Sequence, residues 1–585
     1  MSSWRGRQGA AALGVIAVML VVRGRLLAGS YFNQDDFSLT GRAYRSDLTW
    51  GYLSSDLEGH VNPLQQLARW VVAHQAPYDW PVVAVAILAV DLAATVLVWL
   101  ILSRLLEDRW SRVVLLAVFA WAPMTLAPTL WWSAAMLLWP HVLCSLAAIW
   151  LLVRWWQGDG RGWVNAAGIV SVTAVGLLWH ERAVLILPLL LGVAVALADE
   201  AAGWRRVPAA AGRFRWLWVG MMAVVGGFLV VHSLLTDVEG GGGSARHQLD
   251  LSWSLVGENV VPGLVGGPWA GRVTGGAVVP ATWVTVVSVL LVVVVAALLL
   301  WRGGPARRWG LGMLAGYVAT DLVLLLSGWS ASGAISGLDP RHSAHTLHVA
   351  VVCAALCLRG ASLPAPATRR GRAAVVGGLL ASYGVAAAFG TALLVPHFQN
   401  KADREFVTNL RADLARDPTQ VILDGPAPAE LVLPLGGDDN RYSAIFGQLP
   451  ERPAFDGPSP RLRTVGPDGT LRPIELVRRV VSEPGPDDEC GYAVARRPVR
   501  VDLERPLAGR VLLRVRYYTA AESTVEVAAA DWSAEFLARR GPNEVWLVLS
   551  DPDDAAGEVD ELELVGDGPV DVCVTEVAAG LPEAP

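Results

Sequence analysis

Asp35 and Asp36 are adjacent carboxylates in SYFNQDDFSLT, bracketed by Tyr31, Phe32 and Phe37. Neighbouring carboxylates beside apolar surface repel each other and resist desolvation, which leaves one poised to accept a proton. In a solvated loop or helix start the same pair is an ordinary acidic turn. His180, Glu181 and Arg182 interrupt the apolar run LLWHERAVLILPLL, where charges must pair with each other or face a polar cavity. A structural ion pair and a functional contact both satisfy that requirement. GLDPRHSAHTLH adds Asp339, Arg341, His342 and His345. An arginine in such a place binds phosphate by paired hydrogen bonds or anchors the chain at the headgroups. Trp131 and Trp132 offer rings for sugar stacking, although interfacial belts account for tryptophans equally well. Asp91 and Asp321 lie inside apolar stretches and are expected to face a protein interior, paired.

The composition identifies the scaffold that must position these groups. Of 585 residues, 53% are hydrophobic and 17% charged, against about a quarter charged in soluble chains. Disorder and nucleic-acid binding fit poorly. The net charge of −6 hides a split at Val395: 27 arginines face 19 acids before it, and 19 arginines with Lys401 face 34 acids after it. Apolar stretches suited to a hydrocarbon core of roughly 30 Å occur only in the first region. Eleven are read, at 10–27, 80–102, 113–127, 129–153, 163–179, 183–198, 216–235, 280–301, 309–326, 344–358 and 373–395. Several are shorter than the ~20 residues of a straight span, and one short pair is compatible with a re-entrant hairpin.

Eighteen of the 27 arginines fall in alternate short loops, from Arg5 and Arg7 to Arg369, Arg370 and Arg372. The positive-inside rule makes that side cytoplasmic. The N-terminus is then inside and the acidic C-terminal region outside, in a multi-pass plasma-membrane protein. Arg23 and Arg25 follow the first apolar run and suggest a retained anchor, with its outer end at the headgroups, in place of a cleaved signal. The first outside loop, 28–79, carries the acidic pair, and its Pro63–Gln75 stretch has an apolar face suited to the interface. The outside loop 236–279 contains GGGGS at 240–244, a flexible linker that would let it act as a lid.

From 396 to 585 the pattern changes to short alternating strands punctuated by turns such as Asp551-Pro552-Asp553. This predicts a mainly β, sandwich-like extracytoplasmic domain after an all-α polytopic domain at 1–395, with one helix near 405–417. Cys490 and Cys573 are the only cysteines in this region, so a disulfide is plausible there. Trp532, Trp546, Tyr517 and Tyr518 offer a sugar platform, with burial in the sandwich the better prior.

The layout of residues 10–395 resembles the GT-C superfamily of polytopic membrane glycosyltransferases. The likeness rests on the acidic pair in a long first outside loop and on GHVNPL at 59–64. It rests also on HERAVLILP at 180–188, with His180 where a lysine is usual, and on PRH at 340–342. The resemblance implies transfer of a sugar from a polyprenyl-phosphate donor to an envelope glycan, lipid or protein acceptor on the outer face. It implies Asp35 as the base, with Asp36 orienting it or coordinating a metal. Arg341 and Arg182 would support the departing phosphate, with Glu181, His342 and Arg25 as further donor-binding groups. Trp131, Trp132 and His60 would meet the acceptor sugar. A divalent cation is compatible but not required, and no His/Cys cluster marks a dedicated metal site. The C-terminal domain is similar in architecture to carbohydrate-binding modules of actinobacterial cell-wall arabinosyltransferases, and 46 arginines to one lysine suit a GC-rich genome of that kind. A secondary transporter or flippase, favoured by Asp91 and Asp321, and a noncatalytic glycan-binding envelope protein are the alternatives.

Overall fold

The computed structural model describes residues 6–582, except 58, 108, 200–201, 237–242, 302–304, 360–367, 434–435, 530–531, 550–557 and 569–571. Residues 240–242 of the expected linker and the turn Asp551-Pro552-Asp553 thus lie outside the described residues. The chain forms two compact units. One comprises Met1–Phe32, Ser46–Val72 and Asp79–Lys401; the other comprises Asn33–Arg45, Ala73–Tyr78 and Ala402–Pro585.

The first unit is a multi-pass helical bundle. Among the described residues nine helices are long and apolar enough to cross a membrane, including Arg7–Ala28, Trp80–Leu106, Ser111–Thr129, Trp132–Trp156, Gly162–Trp179 and Ala306–Trp329. Two of the eleven expected stretches form shorter helices: 12 residues at Ile186–Leu197 and 13 at Thr346–Leu358. At 1.5 Å per residue these run only about 20 Å. Each begins late because polar residues take the preceding turn: Glu181–Leu185 and Pro340–His342 are both 3₁₀.

Arg23 is buried against the neighbouring helices near the end of the first helix. Its Nη1 lies 3.2 Å from Asp91 Oδ2 and donates to Thr129 Oγ1 at 3.2 Å. Its Nη2 donates to Thr125 Oγ1 at 2.6 Å, and the guanidinium lies over the Trp139 ring, 5.4 Å from its centroid. A buried charge is tolerated where a counter-charge and hydrogen bonds replace water. The cluster therefore ties the first helix to Trp80–Leu106, Ser111–Thr129 and Trp132–Trp156.

The second unit is built on a sandwich. One antiparallel sheet runs Gly541–Val548, Leu512–Thr519, Val572–Pro582 and Leu476–Val481, with Tyr492–Val494 also paired to Val572–Pro582. The other runs Trp532–Ala538, Ser523–Ala529, Val559–Gly566 and Val499–Leu507. Alternation sets the core: Val525 and Val527 of the second sheet join Leu513, Val515 and Tyr517 of the first in one buried cluster. Each fully buried aliphatic of this kind contributes roughly 1.5–3 kcal/mol. Cys490 and Cys573 are disulfide-bonded, with Cα atoms 4.7 Å apart. Trp546 and Tyr517 are buried, while Tyr518 is exposed. The helix Lys401–Arg416 buries Phe406, Val407, Leu410 and Leu414 along one face. A further small sheet pairs Val421–Ile422 in parallel with Ala454–Phe455 and Leu462–Val465.

The buried pair in the first unit gives a double-mutant test. Arg23→Met strands Asp91 without its counter-charge and is expected to cost about 3–5 kcal/mol. Combining it with Asp91→Leu is expected to recover most of that loss, read as thermal unfolding of the detergent-solubilised protein.

Candidate functional site

In the second unit the acidic pair opens the helix Asp35–Arg45, so both carboxylates lie in the first turn, where the helix dipole favours negative charge. Their environments differ. Asp36 is fully buried, and its Oδ2 accepts the Asn33 N–H at 3.0 Å while its own N–H donates to the Asn33 carbonyl at 2.8 Å. Its carboxylate therefore closes the turn that enters the helix. Asp35, the preceding residue of the helix, is half-buried.

This helix is docked on residues 439–446. A Cβ on Gly41 would lie 2.2 Å from the Ala444 carbonyl oxygen, so the two backbones approach closer than any side chain permits. Phe37 packs against Tyr78 and Phe446, with ring centroids 5.3 and 6.3 Å apart. The Tyr78 hydroxyl donates to the Ile445 carbonyl at 2.8 Å. Arg45 donates to the Ala444 carbonyl and pairs with Asp439.

In the first unit the HER turn and the GHVNPL segment come together. Glu181 stands between two imidazoles: His60 Nδ1 lies 3.0 Å from Oε1, and His180 Nδ1, which accepts the Arg182 N–H at 3.3 Å, lies 2.9 Å from Oε2. The Asn62 amide, turned to donate, lies 3.2 Å from Oε2. Burial alone would raise the Glu181 pKa, but His180 and His60 outweigh it and hold the carboxyl well below its usual range. Burial pushes the His180 imidazole down, against the pull of Glu181.

Arg182 and Arg341 occupy adjoining positions in the same unit. Arg182 Nη1 donates to the Arg341 carbonyl at 3.3 Å and lies 3.4 Å from His345 Nδ1, while its Nε is 3.8 Å from Asp321 Oδ1. His345 Nε2 is 3.1 Å from Asp321 Oδ2. Arg341 donates through Nε to Asp339 Oδ2 at 2.7 Å and lies over the Trp131 ring at 4.5 Å. Asp339 also accepts the Arg341 backbone N–H at 2.8 Å. Burial raises the Asp339 carboxyl, yet Arg341 and His342 bring it below its ordinary value. Asn259 locks this turn, donating to the Gly337 and Asp339 carbonyls at 2.9 and 3.0 Å and accepting from Ser343 at 2.6 Å.

The other expected contacts fall differently. His342 is buried, and its Nδ1 lies 2.7 Å from the Ser336 carbonyl. Burial, then the Arg182 guanidinium, pushes its pKa down to about 4, so at neutral pH it brings no positive charge to a phosphate. Trp131 and Trp132 are both buried, one beneath Arg341 and the other edge-on to Phe32 at 5.5 Å, so neither ring is an open stacking face. Arg25 is exposed in the last turn of the first helix, and none of the described contacts joins it to the cluster. Asp36 Oδ2 accepts the Asn33 amide; among the described residues no group of three or more His, Cys, Asp or Glu side chains is arranged to hold a metal ion. Asn62 and Asn259 escaped the sequence reading because an uncharged amide carries no local signal. Asn62 nevertheless lies within the quoted GHVNPL.

Two tests follow. Gly41→Ala forces two backbones apart and is expected to destabilise the second unit by about 1–3 kcal/mol, seen as faster proteolysis in that unit. His342 has a folded pKa below its unfolded value, so the unfolded chain binds the extra proton and stability falls as pH drops from about 6.5 to about 4. The loss approaches ~3 kcal/mol at the acid end. His342→Gln should flatten that part of the stability–pH curve.

No family model matches the chain, and no curated protein matches it in sequence. Among solved structures it is similar to the arabinofuranosyltransferase AftD from Mycobacteria, at 13% identity and a TM-score of 0.38, covering 97% of this chain and 58% of that one. A mutant of the same protein gives 13% identity and a TM-score of 0.37, over 97% of this chain and 61% of that one. The chain thus spans less than two thirds of the length of the structures it matches.

Proposed function

We propose that the protein is a membrane glycosyltransferase that moves a sugar from a polyprenyl-phosphate donor to an envelope glycan, lipid or protein acceptor at the outer face. The observation that carries this reading is the division of labour in the acidic pair. One carboxylate is sunk into the turn and the other is half-buried at a helix N-terminus. An acceptor hydroxyl is far too weak an acid to attack unaided, so a carboxylate must take its proton as the bond to the anomeric carbon forms. Asp35 fills that role, and Asp36 fixes the turn that aims it. The donor's phosphate departs with negative charge that needs cationic support. Arg182 and Arg341 supply it, each held beside a carboxylate that keeps the guanidinium in place.

The arginine distribution supports a cytoplasmic N-terminus and an outer-face C-terminal domain, with a membrane domain at 1–395 followed by an extracytoplasmic one at 396–585. The transporter reading leans on Asp91 and Asp321, and both carboxylates sit in ion pairs with neighbouring side chains.

In membranes supplied with a polyprenyl-phosphate sugar, Asp35→Asn is expected to lower transfer by about a thousandfold, within the range for loss of a general base. The variant should keep its expression and thermal stability. Asp36→Asn should lower thermal stability as well as transfer. Full activity in both variants overturns the reading, and substrate accumulation in sealed proteoliposomes without sugar transfer favours transport.

A further inference from the structure

The hold on Arg341 extends further back than its carboxylate. Arg341 Nε and Nη2 both lie 2.7 Å from Asp339 Oδ2, so the guanidinium takes its direction from Asp339. Asp339 is fixed in turn through its backbone by Asn259, 80 positions earlier in the chain. The Asn259 amide donates to the Gly337 and Asp339 carbonyls, and its oxygen accepts from the Ser343 hydroxyl. One side chain thereby grips residues 337–343 at three points. Asparagine is a poor helix former, and here it stands in a π-helical segment, Ser254–Val260, between the α-helical Ala245–Trp253 and Val261–Leu264. Such segments are rare and frequently found at functional sites. A second contact makes the docking rigid. A Cβ on Gly337 would lie 2.2 Å from Ser254 Oγ and 2.7 Å from the Leu251 carbonyl oxygen, so Ala334–Leu338 packs backbone-close against this part of the loop 236–279. All of these residues belong to the first unit.

We propose that Asn259 is a positioning residue for phosphate binding: it sets the place of Asp339, and through Asp339 the direction in which Arg341 offers its guanidinium. The assignment rests on the reading of Arg341 as a support for the donor phosphate. A guanidinium fork matches a phosphate only when its plane and direction are right. A misplacement of about 1 Å can cost up to about a hundredfold in rate. Asn259 acts on the phosphate without touching it, and residues 245–264 form a strap that keeps the turn carrying Arg341 in register.

Farnesyl phosphate serves as the probe, titrated into the full-length protein in nanodiscs and followed by ³¹P NMR. Asn259→Ala should weaken binding about tenfold, the scale of two lost hydrogen bonds. Asn259→Asp keeps the side chain's shape and the Ser343 contact but loses both donated bonds, and should behave like Asn259→Ala. Ser343→Ala removes the third contact alone and should weaken binding about threefold. The same substitutions are then placed in Arg341→Ala, where neither Asn259→Ala nor Ser343→Ala should change the binding that remains, because the group they position is gone. A defect of the fold alone would lower binding by the same factor in both backgrounds. In transfer assays Asn259→Ala should raise the donor KM and leave the acceptor KM unchanged. Thermal unfolding checks each variant, and Ser343→Ala carries the two-background comparison if Asn259→Ala is too unstable to assay. Wild-type binding in both Asn259 variants overturns the proposal, as does an equal loss in the two backgrounds. Wild-type binding by Arg341→Ala overturns the reading of Arg341, and the proposal with it.

Discussion

The Ala444 carbonyl oxygen would sit 2.2 Å from any Cβ at position 41, and that absence of space governs how the acidic pair is held. An 11-residue helix has too little stability of its own to set a direction. Its orientation is imported from the surface on which it lies. Phe37, Tyr78 and Phe446 fix its rotation by interlocking rings, and Arg45 fixes its far end through Ala444 and Asp439. Three segments far apart in sequence, 33–45, 73–78 and 439–446, thus form one packed element of the second unit. The C-terminal part of the chain supplies the floor under the proposed base, a positioning role distinct from any binding of glycans by the sandwich.

In the first unit a recurring physical problem is a charge in poor solvent, and in three places it is met by a local counter-charge. Arg23 has Asp91, Arg341 has Asp339, and Asp321 is shared by Arg182 and His345. Buried pairs of this kind contribute little net stability, because desolvation offsets attraction. They contribute geometry. Arg341 is held by the Asp339 carboxylate and by the Trp131 ring, so its guanidinium keeps few rotamers.

What could be read from the sequence divides along the range of the physics. Hydropathy and alternation are local properties, so the long membrane helices and the sandwich strands such as Ser523–Ala529 were legible. The two-residue strands Val421–Ile422 and Ala454–Phe455 were not, because alternation has no meaning over two positions. The partners of charged residues at span ends were hidden for a related reason. Asp91 and two threonines surround Arg23, and none of them is its neighbour in sequence. Trp131 and Trp132 look like belt residues or sugar platforms, and packing against Arg341 and Phe32 is a tertiary fact. The acidic pair, the HER turn and GHVNPL stood out because polar residues are costly beside apolar runs. Which of them meet was hidden, since Glu181 and His60 are joined only by the fold.

The distinction between Asp35 and Asp36 shows why an adjacent pair is more useful than a single acid. Successive side chains on a helix point about 100° apart. One can be turned into the turn that starts the helix while its neighbour faces outward. The inward carboxylate satisfies the Asn33 amide, which would otherwise be an unpaired donor at a helix start, and so stiffens the residue beside it. A lone aspartate would have to choose between capping and proton transfer. A glutamate at the inward position would carry an extra methylene into a site that is already closed. The adjacency of two short acids therefore lets one carboxylate hold the turn while the residue beside it stays half-buried.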